Sequence, residues 1–498
     1  MVVPERFLEA HNRKLLMDRS TPGRIGASLT KLDVPKTALP EVSLLRDNLD
    51  MPEVSESEIV RYFSQLSHYN FSIDHNFYPL GSCTMKYNPK VNDEMASLPG
   101  MSEIHPYQPE STVQGALKLI WHLQEILAEF MGMAGASVSP KAGAESEFAG
   151  MLMARVYHLS RGDTQRKKVL IPDSAHGTNP ASAVVAGFHV VSLPTNEDGN
   201  TDLNALKAAV GDDLAGFMLT QPSTLGIFDT NLLEVIQVVR DAGGILYGDG
   251  ANLNALLGKV KLGELGFDVV HSNLHKTFTQ PHGGGGPGAG AVLVSERLLP
   301  FLPAPHVVRT EDDAIEKFSL VTPPQSVGRL GPFAGNFGAL VRAYSYIRTL
   351  GDVGIAEVSE DAVINANYIL SQLRGVYDLP HDRHCKHEVV FSAKNLKDKY
   401  GVSAKDVCKR LIDYGIHPPT MYFPLPNVVE ESLLIEPTET ESKETLDQFI
   451  EVMKLIAKEA SESPDLLHDA PHNTTNTRLD EVLAARKPVL RWRRKTSE

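Results

Sequence analysis

The chain has 498 residues, 42% of them hydrophobic and 22% charged, a composition typical of a globular protein with two or three domains. Its 48 basic and 62 acidic residues give a net charge of −14, which argues against unspecific binding to nucleic acid. No stretch is long and apolar enough to span a bilayer, so we expect no membrane partner.

Cysteine usage and the amino terminus bear on the cellular compartment. The three cysteines are too few for a disulfide framework, which predicts a reducing environment. The first ten residues lack the basic and then apolar pattern of a secretory signal. We therefore expect a cytoplasmic protein.

Residues 1–75 are predicted to form an arm with little core of its own. Pro22, Pro35, Pro40 and Pro52 interrupt it, and one helix is predicted over 55–68. Such an arm can bury its apolar side chains against another chain. The side chains that we expect to do so are Phe7, Leu15, Leu16, Leu44 and Leu45.

Residues 76–335 are predicted to form a large α/β domain. A helix is predicted over about 112–133, where apolar residues recur at helical spacing, and further helices over 202–210 and 231–242. The predicted strands are 168–172, 187–193, 215–220, 244–248, 268–272 and 289–294. Strands that alternate with helices predict a mostly parallel sheet covered on both faces. In such sheets the ligand lies beyond the carboxyl ends of the strands.

Residues 336–460 are predicted to form a smaller α+β domain, and 461–498 a tail along the surface. The helices predicted here are 336–350, 356–373, 403–414 and 442–459, and the strands are 388–392 and 432–435. The tail is polar and then basic, with Arg491, Arg493, Arg494 and Lys495.

Lys276 follows one of the predicted strands and is the candidate for covalent catalysis. The glycine run 283–286 comes soon after it and allows close packing of the backbone. A lysine in this place can form a Schiff base with the aldehyde of a bound cofactor. An isolated His-Lys pair is more often part of a solvated loop, so the interpretation depends on further residues.

Three further residues follow predicted strands at the same edge of the sheet. Asp249 can hold the proton of a pyridine nitrogen, or it is a turn aspartate before Gly250. His176 can stack on the pyridine ring. Thr224 can reach the oxygen of the ring or a substrate carboxylate, and a plain turn is the equal alternative.

The segment 140–150 is the candidate phosphate site. Gly143 permits a tight turn, and Ala144, Glu145 and Ser146 offer backbone N–H groups at a helix N-terminus, which stabilises an anion. The acidic side chains of Glu145 and Glu147 must then point away from the phosphate or cap the helix.

Two other kinds of site are not supported. The glycines at 283–288 match a dinucleotide motif, but a strand follows them where that motif requires a helix. His271, His275, His282 and the segment 381–387 have no complete set of ligands nearby in the sequence, so we expect no metal.

Several long segments together resemble the glycine decarboxylase, or P-protein, family of the glycine cleavage system. The similarity runs from about residue 70 to the end of the chain. The segments that carry it are YPLGSCTMKYNPK (78–90), IHPYQP (104–109), SAHGTNPASA (174–183), DGANLNA (249–255), HKTFTQPHGGGGPG (275–288), FAGNFGALVRAYSYI (333–347), HPPTMYFP (417–424) and IEPTETESKETLD (435–447). The length resembles that of the cofactor-bearing second subunit of the two-subunit form. One departure is AGAESE at 142–147, where the family has a form like SGAQGE.

The resemblance implies the aspartate-aminotransferase-like fold, known as fold type I, with pyridoxal 5'-phosphate as the cofactor. It implies that the cofactor is bound to Lys276, that Asp249 lies at the pyridine nitrogen and that His176 lies over the ring. The full set of expected cofactor contacts is Lys276, Asp249, His176, Gly143, Ala144, Glu145, Ser146, Thr224, Asn252 and His275.

The implied reaction takes glycine and the oxidised lipoyl arm of the H-protein and gives carbon dioxide and the aminomethylated arm. The implied partner is a homologous first subunit without the lysine, in a dimer of such pairs. Arg329, Thr420 and Tyr422 are candidates for lining the glycine or lipoyl site, and Cys83 faces the lipoyl path or is a structural thiol. Two alternatives stay open: another fold type I enzyme, such as an amino-acid decarboxylase or a cysteine desulfurase, and a non-catalytic scaffold subunit.

Overall fold

The computed structural model describes residues 14–47, 49–280, 288–312, 315–424, 426–474 and 476–491. The chain divides into two compact units, Met1–Ser72 and Ile73–Glu498. Several residues used in the sequence predictions lie outside the described residues: Phe7, His282, the glycine run 283–286, Arg493, Arg494 and Lys495. Among the described residues, no helix is both long and apolar enough to cross a membrane.

The first unit contains one α-helix within its described part, α1 (Glu56–Ser67). The helix begins after Ser55, whose N–H donates a 2.9 Å hydrogen bond to the Glu58 carboxylate as in a capping box. The helix predicted over 55–68 is confirmed to within one residue at each end. Leu15, Leu44 and Leu45 are exposed in this unit, Leu44 to 76% of its surface.

The second unit alternates strands and helices through most of its length. Its described helices are α2 (Lys90–Ala96), α3 (Pro99–Ser102), α4 (Gln114–Met131), α5 (Gly143–Ser160), α6 (Thr178–Val185), α7 (Leu203–Ala209), α8 (Leu232–Asp241), α9 (Leu262–Leu265), α10 (Leu274–Thr277), α11 (Phe337–Leu373), α12 (Lys394–Tyr400), α13 (Ala404–Asp413), α14 (Lys443–Glu462), α15 (Pro464–His468) and α16 (Glu481–Arg486). Its strands are β1 (Gly135–Ser137), β2 (Lys168–Pro172), β3 (His189–Leu193), β4 (Leu214–Thr220), β5 (Ile245–Gly250), β6 (Val269–Asn273), β7 (Gly290–Val294), β8 (His306–Asp312), β9 (Ile315–Val321), β10 (Val389–Ser392), β11 (Thr420–Met421) and β12 (Ser432–Ile435).

Seven of the described strands form one sheet in the order β1-β7-β6-β5-β4-β2-β3. Five neighbouring strands run parallel to one another: β6, β5, β4, β2 and β3. At the other edge, β7 is antiparallel to β6 and β1 is antiparallel to β7. Nearly every residue of β2, β4, β5, β6 and β7 is buried, because helices cover both faces. The mostly parallel α/β sheet predicted from the sequence is confirmed.

The apolar residues that recur at helical spacing in α4 pack into the core. Leu117, Leu123 and Leu127 recur on one face and are buried in the main core. The helix ends at Gly132, whose φ of +64° is a backbone conformation that glycine adopts without strain. The prediction over about 112–133 is confirmed, with ends two residues shorter on each side.

A second described sheet is antiparallel, in the order β10-β12-β11, and has its own core. Leu370 of α11, Val407 of α13 and Phe449 of α14 pack in this core against Phe391 and Leu433 of the sheet. The boundaries that we predicted for a large domain at 76–335 and a small domain at 336–460 stay predictions.

Several described elements were not predicted from the sequence, among them β1, α2, α9 and α12. The two helices predicted over 336–350 and 356–373 are confirmed: they follow one another within α11 and are separated by a kink at Gly351, whose backbone is not helical (φ +66°, ψ −169°). The antiparallel hairpin of β8 and β9 was not predicted at all. The hairpin mixes charged and apolar residues and lacks the continuous apolar run that marks the buried strands.

Candidate functional site

The candidate site lies beyond the carboxyl ends of the parallel strands. Thr220 ends β4, Asp249 lies near the end of β5 and His271 lies in β6, and the sheet register places Thr220 beside Asp249 and Asp249 beside His271. Lys276 follows β6 on the short helix α10. Parallel strands bring their carboxyl ends to one edge, so residues far apart in the chain meet there.

Asp249 is buried between groups that stabilise its negative charge. Its Oδ1 accepts a 2.9 Å hydrogen bond from the Ala251 N–H and lies 3.4 Å from Nε2 of His271, and the Thr220 hydroxyl donates to Oδ2 at 3.4 Å. Burial alone would raise the pKa of Asp249, but His271, the Ala251 N–H and Lys276 together lower that pKa below its ordinary value. The carboxylate is therefore ionised although it is buried.

His271 is held behind Asp249 by a buried tyrosine. The Tyr247 hydroxyl lies 2.7 Å from Nδ1 of His271. Burial lowers the pKa of His271 and raises that of Tyr247, so the imidazole is neutral and the phenol keeps its proton. No described residue forms a hydrogen bond with Nε2 of His271.

Glu147 is a second buried carboxyl group beside Asp249. The Thr178 hydroxyl donates to it at 2.8 Å and the Ser182 hydroxyl at 3.3 Å. Burial, and then the charge of Asp249, raise the pKa of Glu147 from 4.5 to about 8. Glu147 is therefore largely protonated at neutral pH, and the pair carries one negative charge.

Lys276 points its amino group into the site. Nζ donates a 3.0 Å hydrogen bond to Oδ1 of Asn252, which follows β5. The amide nitrogen of Asn252 donates in turn to the Thr84 hydroxyl at 3.2 Å and to Glu436 at 3.4 Å. These two bonds fix the orientation of the amide, so its oxygen faces the lysine.

His176 lies in the loop between β2 and α6. Its Nδ1 lies 2.7 Å from the Thr178 hydroxyl and accepts the Thr178 N–H at 3.2 Å. Its ring meets Phe423 edge to face, with 5.5 Å between the ring centres. Burial and the nearby Lys276 lower the pKa of His176, so the ring is neutral.

The candidate phosphate site is the N-terminus of α5, which begins at Gly143. A Cβ atom at Gly143 would lie 2.0 Å from Oδ1 of Asn273, and one at Gly290 would lie 2.2 Å from Oγ of Ser146. Only glycine fits at both positions, because the helix start packs directly against the ends of β6 and β7. The first N–H groups of the helix have no partner within the helix and can bind an anion.

The two acidic side chains near this helix start do not compete with an anion. Glu145 turns back and accepts the Lys141 N–H at 2.6 Å. Glu147 points toward Asp249, as described above. Ser146 uses its hydroxyl and its N–H to bond the Ala142 carbonyl, at 3.0 Å and 3.1 Å.

One cavity of about 220 Å³ brings most of the predicted site residues together. Those that line it are Lys276, Asp249, His176, Gly143, Ala144, Thr224, Asn252 and His275. Glu145 and Ser146 lie in the same helical turn, but their side chains do not line the cavity. The Thr224 hydroxyl donates to the Ser174 carbonyl, and Nδ1 of His275 lies 3.0 Å from the Ala289 carbonyl.

Three residues considered for substrate binding lie elsewhere. Arg329 lines a separate apolar cavity and donates to the Pro332 carbonyl at 3.4 Å. The Thr420 hydroxyl donates to the Gly81 carbonyl at 2.8 Å, and Tyr422 takes a left-handed backbone conformation with φ +58°. None of the three lines the cavity around Lys276.

The sequence analysis missed several residues of the cavity wall. They are Ser82, Thr178, Thr220, Pro222, Ala251, Asn273 and Glu388, and Glu147 lines the cavity although it was expected only to point away from the phosphate or to cap the helix. Most of them adjoin a predicted residue or a predicted strand end, which is a signal that could have been used. Ser82 adjoins Cys83 and Glu388 begins the strand predicted over 388–392, but neither residue was considered for the site.

The cysteines bear on the desulfurase alternative, because that chemistry needs a reactive thiol. All three cysteines are free thiols. Burial raises the pKa of Cys385 and of Cys408 to about 12, and burial also raises the pKa of Cys83. None is a thiolate at neutral pH, as a nucleophilic cysteine would be.

The residues present fit pyridoxal phosphate. The N-terminus of α5, with Gly143 and Ala144, opens into the cavity, and the buried ionised carboxylate of Asp249 lines the same cavity. Lys276 supplies the amino group that an aldehyde requires. His271 and Glu147 form a group with Asp249 in which potential ligand atoms lie within 4.8 Å, but these atoms already interact with one another and with Tyr247 and Thr178.

Comparison with known proteins points in the same direction. A family model described as glycine dehydrogenase, C-terminal domain, matches residues 358–477. The chain is 54% identical to the probable glycine dehydrogenase (decarboxylating) subunit 2 of Halalkalibacterium halodurans, over 97% of this chain and 99% of that one. It is 52% identical to the protein of the same name from Bacillus cytotoxicus, over 98% and 99% of the two chains.

Solved structures share the fold. A glycine decarboxylase (P-protein) of the glycine cleavage system, in inhibitor-bound form, has a TM-score of 0.71 at 20% identity, over 84% of this chain and 93% of that one. A cysteine desulfurase from Thermococcus onnurineus NA1 has a TM-score of 0.59 at 16% identity, over 77% and 95%. Likeness at such identities concerns the fold alone, and the predicted aspartate-aminotransferase-like fold is thereby confirmed.

Proposed function

The chain belongs to the family of glycine dehydrogenase (decarboxylating) subunit 2, and we propose that it is the subunit of this enzyme that binds pyridoxal phosphate and decarboxylates glycine. The aminomethyl group that remains would pass to the lipoyl arm of the H-protein, and carbon dioxide would leave. The observation that carries this proposal is the meeting of Lys276, Asp249 and His176 around one cavity.

The chemistry depends on the cofactor for one property. When bound, pyridoxal phosphate supplies an electron sink for the electron pair that remains as carbon dioxide leaves. Lys276 would hold the cofactor covalently and release it to the amino group of glycine. Asp249 would keep a proton on the ring nitrogen, which its buried and ionised state favours.

The remaining proposed contacts orient the cofactor. The first turn of α5, with Gly143, Ala144, Glu145 and Ser146, would hold the phosphate through backbone N–H groups. His176 would pack on the ring, and its neutral state suits stacking rather than charge pairing. Thr224, Asn252 and His275 are further proposed contacts, since all three line the cavity.

The site also controls charge around glycine. The described groups that line the cavity carry few full charges, because His176 and His275 are neutral and Glu147 is largely protonated. Burial from water favours a step in which a carboxylate becomes neutral carbon dioxide. While Lys276 is not bonded to the cofactor, its hydrogen bond to Asn252 would keep the free amino group pointing into the cavity.

We also propose an assembly. The word subunit in the relatives' names supports a tight pair with a homologous first subunit, and the proposed complex is a dimer of such pairs. The exposed leucines of the first unit offer apolar surface for it. The proposed domains are 1–75, 76–335, 336–460 and 461–498, and the proposed location is the cytoplasm, which suits three free thiols.

The proposal is tested by purifying the chain with and without the first subunit. Each preparation receives pyridoxal phosphate, glycine and lipoylated carrier. We expect the lone chain to bind the cofactor, seen by its visible absorbance, and to turn over only with its partner. A preparation that never acquires the absorbance would contradict the cofactor assignment, and full turnover by a lone monomer would contradict the assembly.

A further inference from the structure

Glu388 lines the cavity, and a second buried glutamate, Glu436, lies behind it. Glu388 is 2% exposed and Glu436 is 0% exposed. Glu388 precedes β10 and Glu436 follows β12, and the antiparallel register pairs their neighbours Val389 and Ile435. Potential ligand atoms of the two carboxyl groups and of His387 lie within 4.8 Å of one another.

The two carboxyl groups receive different numbers of hydrogen bonds. Glu436 accepts four, from the Thr84 N–H at 2.8 Å, the Thr84 hydroxyl at 2.6 Å, Asn254 at 3.1 Å and Asn252 at 3.4 Å. Glu388 accepts one in the part of the chain that the structure describes, from the Ser82 N–H at 2.7 Å. Its other oxygen lies 3.7 Å from Nε2 of His387, which forms no hydrogen bond with a described residue.

This difference decides which group keeps a proton. Burial and then the neighbouring Glu436 raise the pKa of Glu388 well above its ordinary value. Burial also raises the pKa of Glu436, but the bonds from Thr84 and Asn254 oppose that effect. Two carboxyl groups this close cannot both ionise, so the charge stays on the group with four donors.

The segment that carries the donors is itself unusual. Ser82 and Thr84 both take left-handed backbone conformations, with φ of +63° and +50°. Each is fixed by one of the two glutamates through its N–H group. Strain of this kind is retained where the surrounding structure holds it, which is common at functional sites.

We propose that Glu388 is a catalytic proton donor that protonates the sulfur released when the cyclic disulfide of the lipoyl arm is opened. The inference deepens the proposed function and rests on it. The carbon that has lost carbon dioxide forms a bond to one sulfur, and the sulfur–sulfur bond breaks. Its electron pair stays on the second sulfur, so the disulfide is reduced and the glycine carbon is oxidised. Glu388 gives its proton to that sulfur and regains one from water.

The other groups of the cavity are less suited to this step. His176 and His275 are neutral, because burial lowers the pKa of each, and Asp249 is ionised. Glu147 is protonated, but both of its oxygens accept hydrogen bonds and it lies beside the ionised Asp249. Among the described carboxyl groups that line the cavity, Glu388 is the one that combines a retained proton with an oxygen that accepts no hydrogen bond from a described residue.

The acid form of Glu388 is lost as the pH rises through its pKa, so transfer should slow on the alkaline side. Other titratable groups that face Glu388 could also lose protons at high pH, or could shift the pH at which the transfer rate falls. They are Glu436, His387, Lys276, Cys83 and Cys385. The comparison of wild type with a Glu388 variant isolates the contribution of Glu388 from theirs.

The test compares Glu388→Gln with Glu388→Asp in the complex with the first subunit. Glutamine can still accept the Ser82 N–H but has no proton to give, whereas aspartate is shorter and keeps an acid. Transfer to the lipoylated carrier should fall by about 100-fold or more in Glu388→Gln, the usual contribution of general acid catalysis. Glu388→Asp should retain more activity than Glu388→Gln, and the alkaline limb should be absent from the Glu388→Gln profile.

The control is Glu441→Gln. Burial raises the pKa of Glu441 to about 7, and its side chain does not line the cavity, so its transfer rate should match wild type. A purely structural role reverses the order, because the isosteric glutamine would then outperform aspartate. The proposal is overturned if Glu388→Gln is more active than Glu388→Asp, or if Glu388→Gln transfers at the wild-type rate.

Two further observations keep the inference separate from the proposed function. Glycine should still change the cofactor absorbance in Glu388→Gln, since glycine binding precedes transfer. If Glu388→Gln does not fold, the test rests on the pH dependence of transfer by wild type and on the activity of Glu388→Asp. A wild-type transfer rate that does not fall at high pH overturns the proposal. Wild type that releases no carbon dioxide from glycine would overturn the proposed function as well.

Discussion

The amino group of Lys276 donates a 3.0 Å hydrogen bond to Oδ1 of Asn252. The two residues come from neighbouring strands, β6 and β5, and meet because parallel strands end at the same edge. The amide of Asn252 is held in turn by Thr84 and Glu436. The lysine therefore points into the cavity in a fixed direction, as covalent attachment of a cofactor requires.

The first prediction concerns that attachment. Lys276→Ala should abolish the adduct that borohydride fixes between the chain and pyridoxal phosphate, because only an imine is reduced to a stable bond. Mass spectrometry of the reduced protein measures it. Lys259→Ala, which removes a partly exposed lysine paired with Glu360, is the control and should label as wild type does. Labelling of Lys276→Ala at another residue would refute the assignment.

Asp249→Ala should damage catalysis much more than folding. The loss in transition-state stabilisation should be about 3–4 kcal/mol or more, because a charge-stabilising group in a dry site is removed. The ratio of kcat/KM for glycine between wild type and variant measures it. Asp213→Ala is the control, since Asp213 pairs with Lys168 on the surface. Near-normal decarboxylation by Asp249→Ala would remove this residue from the mechanism.

Glu147→Gln should change how stability depends on pH. Wild-type Glu147 has a pKa of about 8 in the folded chain against 4.5 for an ordinary glutamate, so the folded state holds a proton that the unfolded state releases. The free energy of unfolding should therefore fall between pH 4.5 and about 8 in wild type, by on the order of a few kcal/mol. Denaturant titrations should show this fall reduced in Glu147→Gln. An identical pH dependence in both proteins would mean that Glu147 is ionised.

Gly143→Ala should disrupt the candidate phosphate site. The added Cβ would lie 2.0 Å from Oδ1 of Asn273, so the helix start or the asparagine must move. We expect a loss of about 1–3 kcal/mol in stability and a weaker affinity for pyridoxal phosphate, measured by fluorescence titration. Gly115→Ala is a matched control in α4, where a Cβ meets no atom within 4 Å, and it should stabilise the helix slightly. Unchanged affinity in Gly143→Ala would place the phosphate elsewhere.

Much of the fold could be predicted from the sequence because buried parallel strands read as short apolar runs. The strand 168–172 was predicted with its observed bounds, and Asp249 and Lys276 were placed correctly at strand ends. The break between the helices predicted over 336–350 and 356–373 is confirmed by the non-helical backbone of Gly351 within α11. The hairpin of β8 and β9 has no apolar run and escaped the prediction.

The part of the cavity wall that Glu388 supplies could not be predicted in the same way. Glu388 lies 112 residues after Lys276, in a segment whose histidines suggested only a metal site to be rejected. The antiparallel register of β10 and β12 brings Glu388 beside Glu436, and that register is a tertiary property. Glu147 was expected to point away from the phosphate or to cap the helix, and the fold turns it toward Asp249, a neighbour that the sequence did not indicate.

The release of labelled carbon dioxide from carboxyl-labelled glycine tests the central claim most directly. The complex of this chain with the first subunit and pyridoxal phosphate is assayed with oxidised lipoylated carrier. We predict one carbon dioxide for each carrier that becomes aminomethylated, and none from the complex that contains Lys276→Ala. Wild-type complex that binds the cofactor but releases no label, or Lys276→Ala complex that releases it at the wild-type rate, would contradict the account.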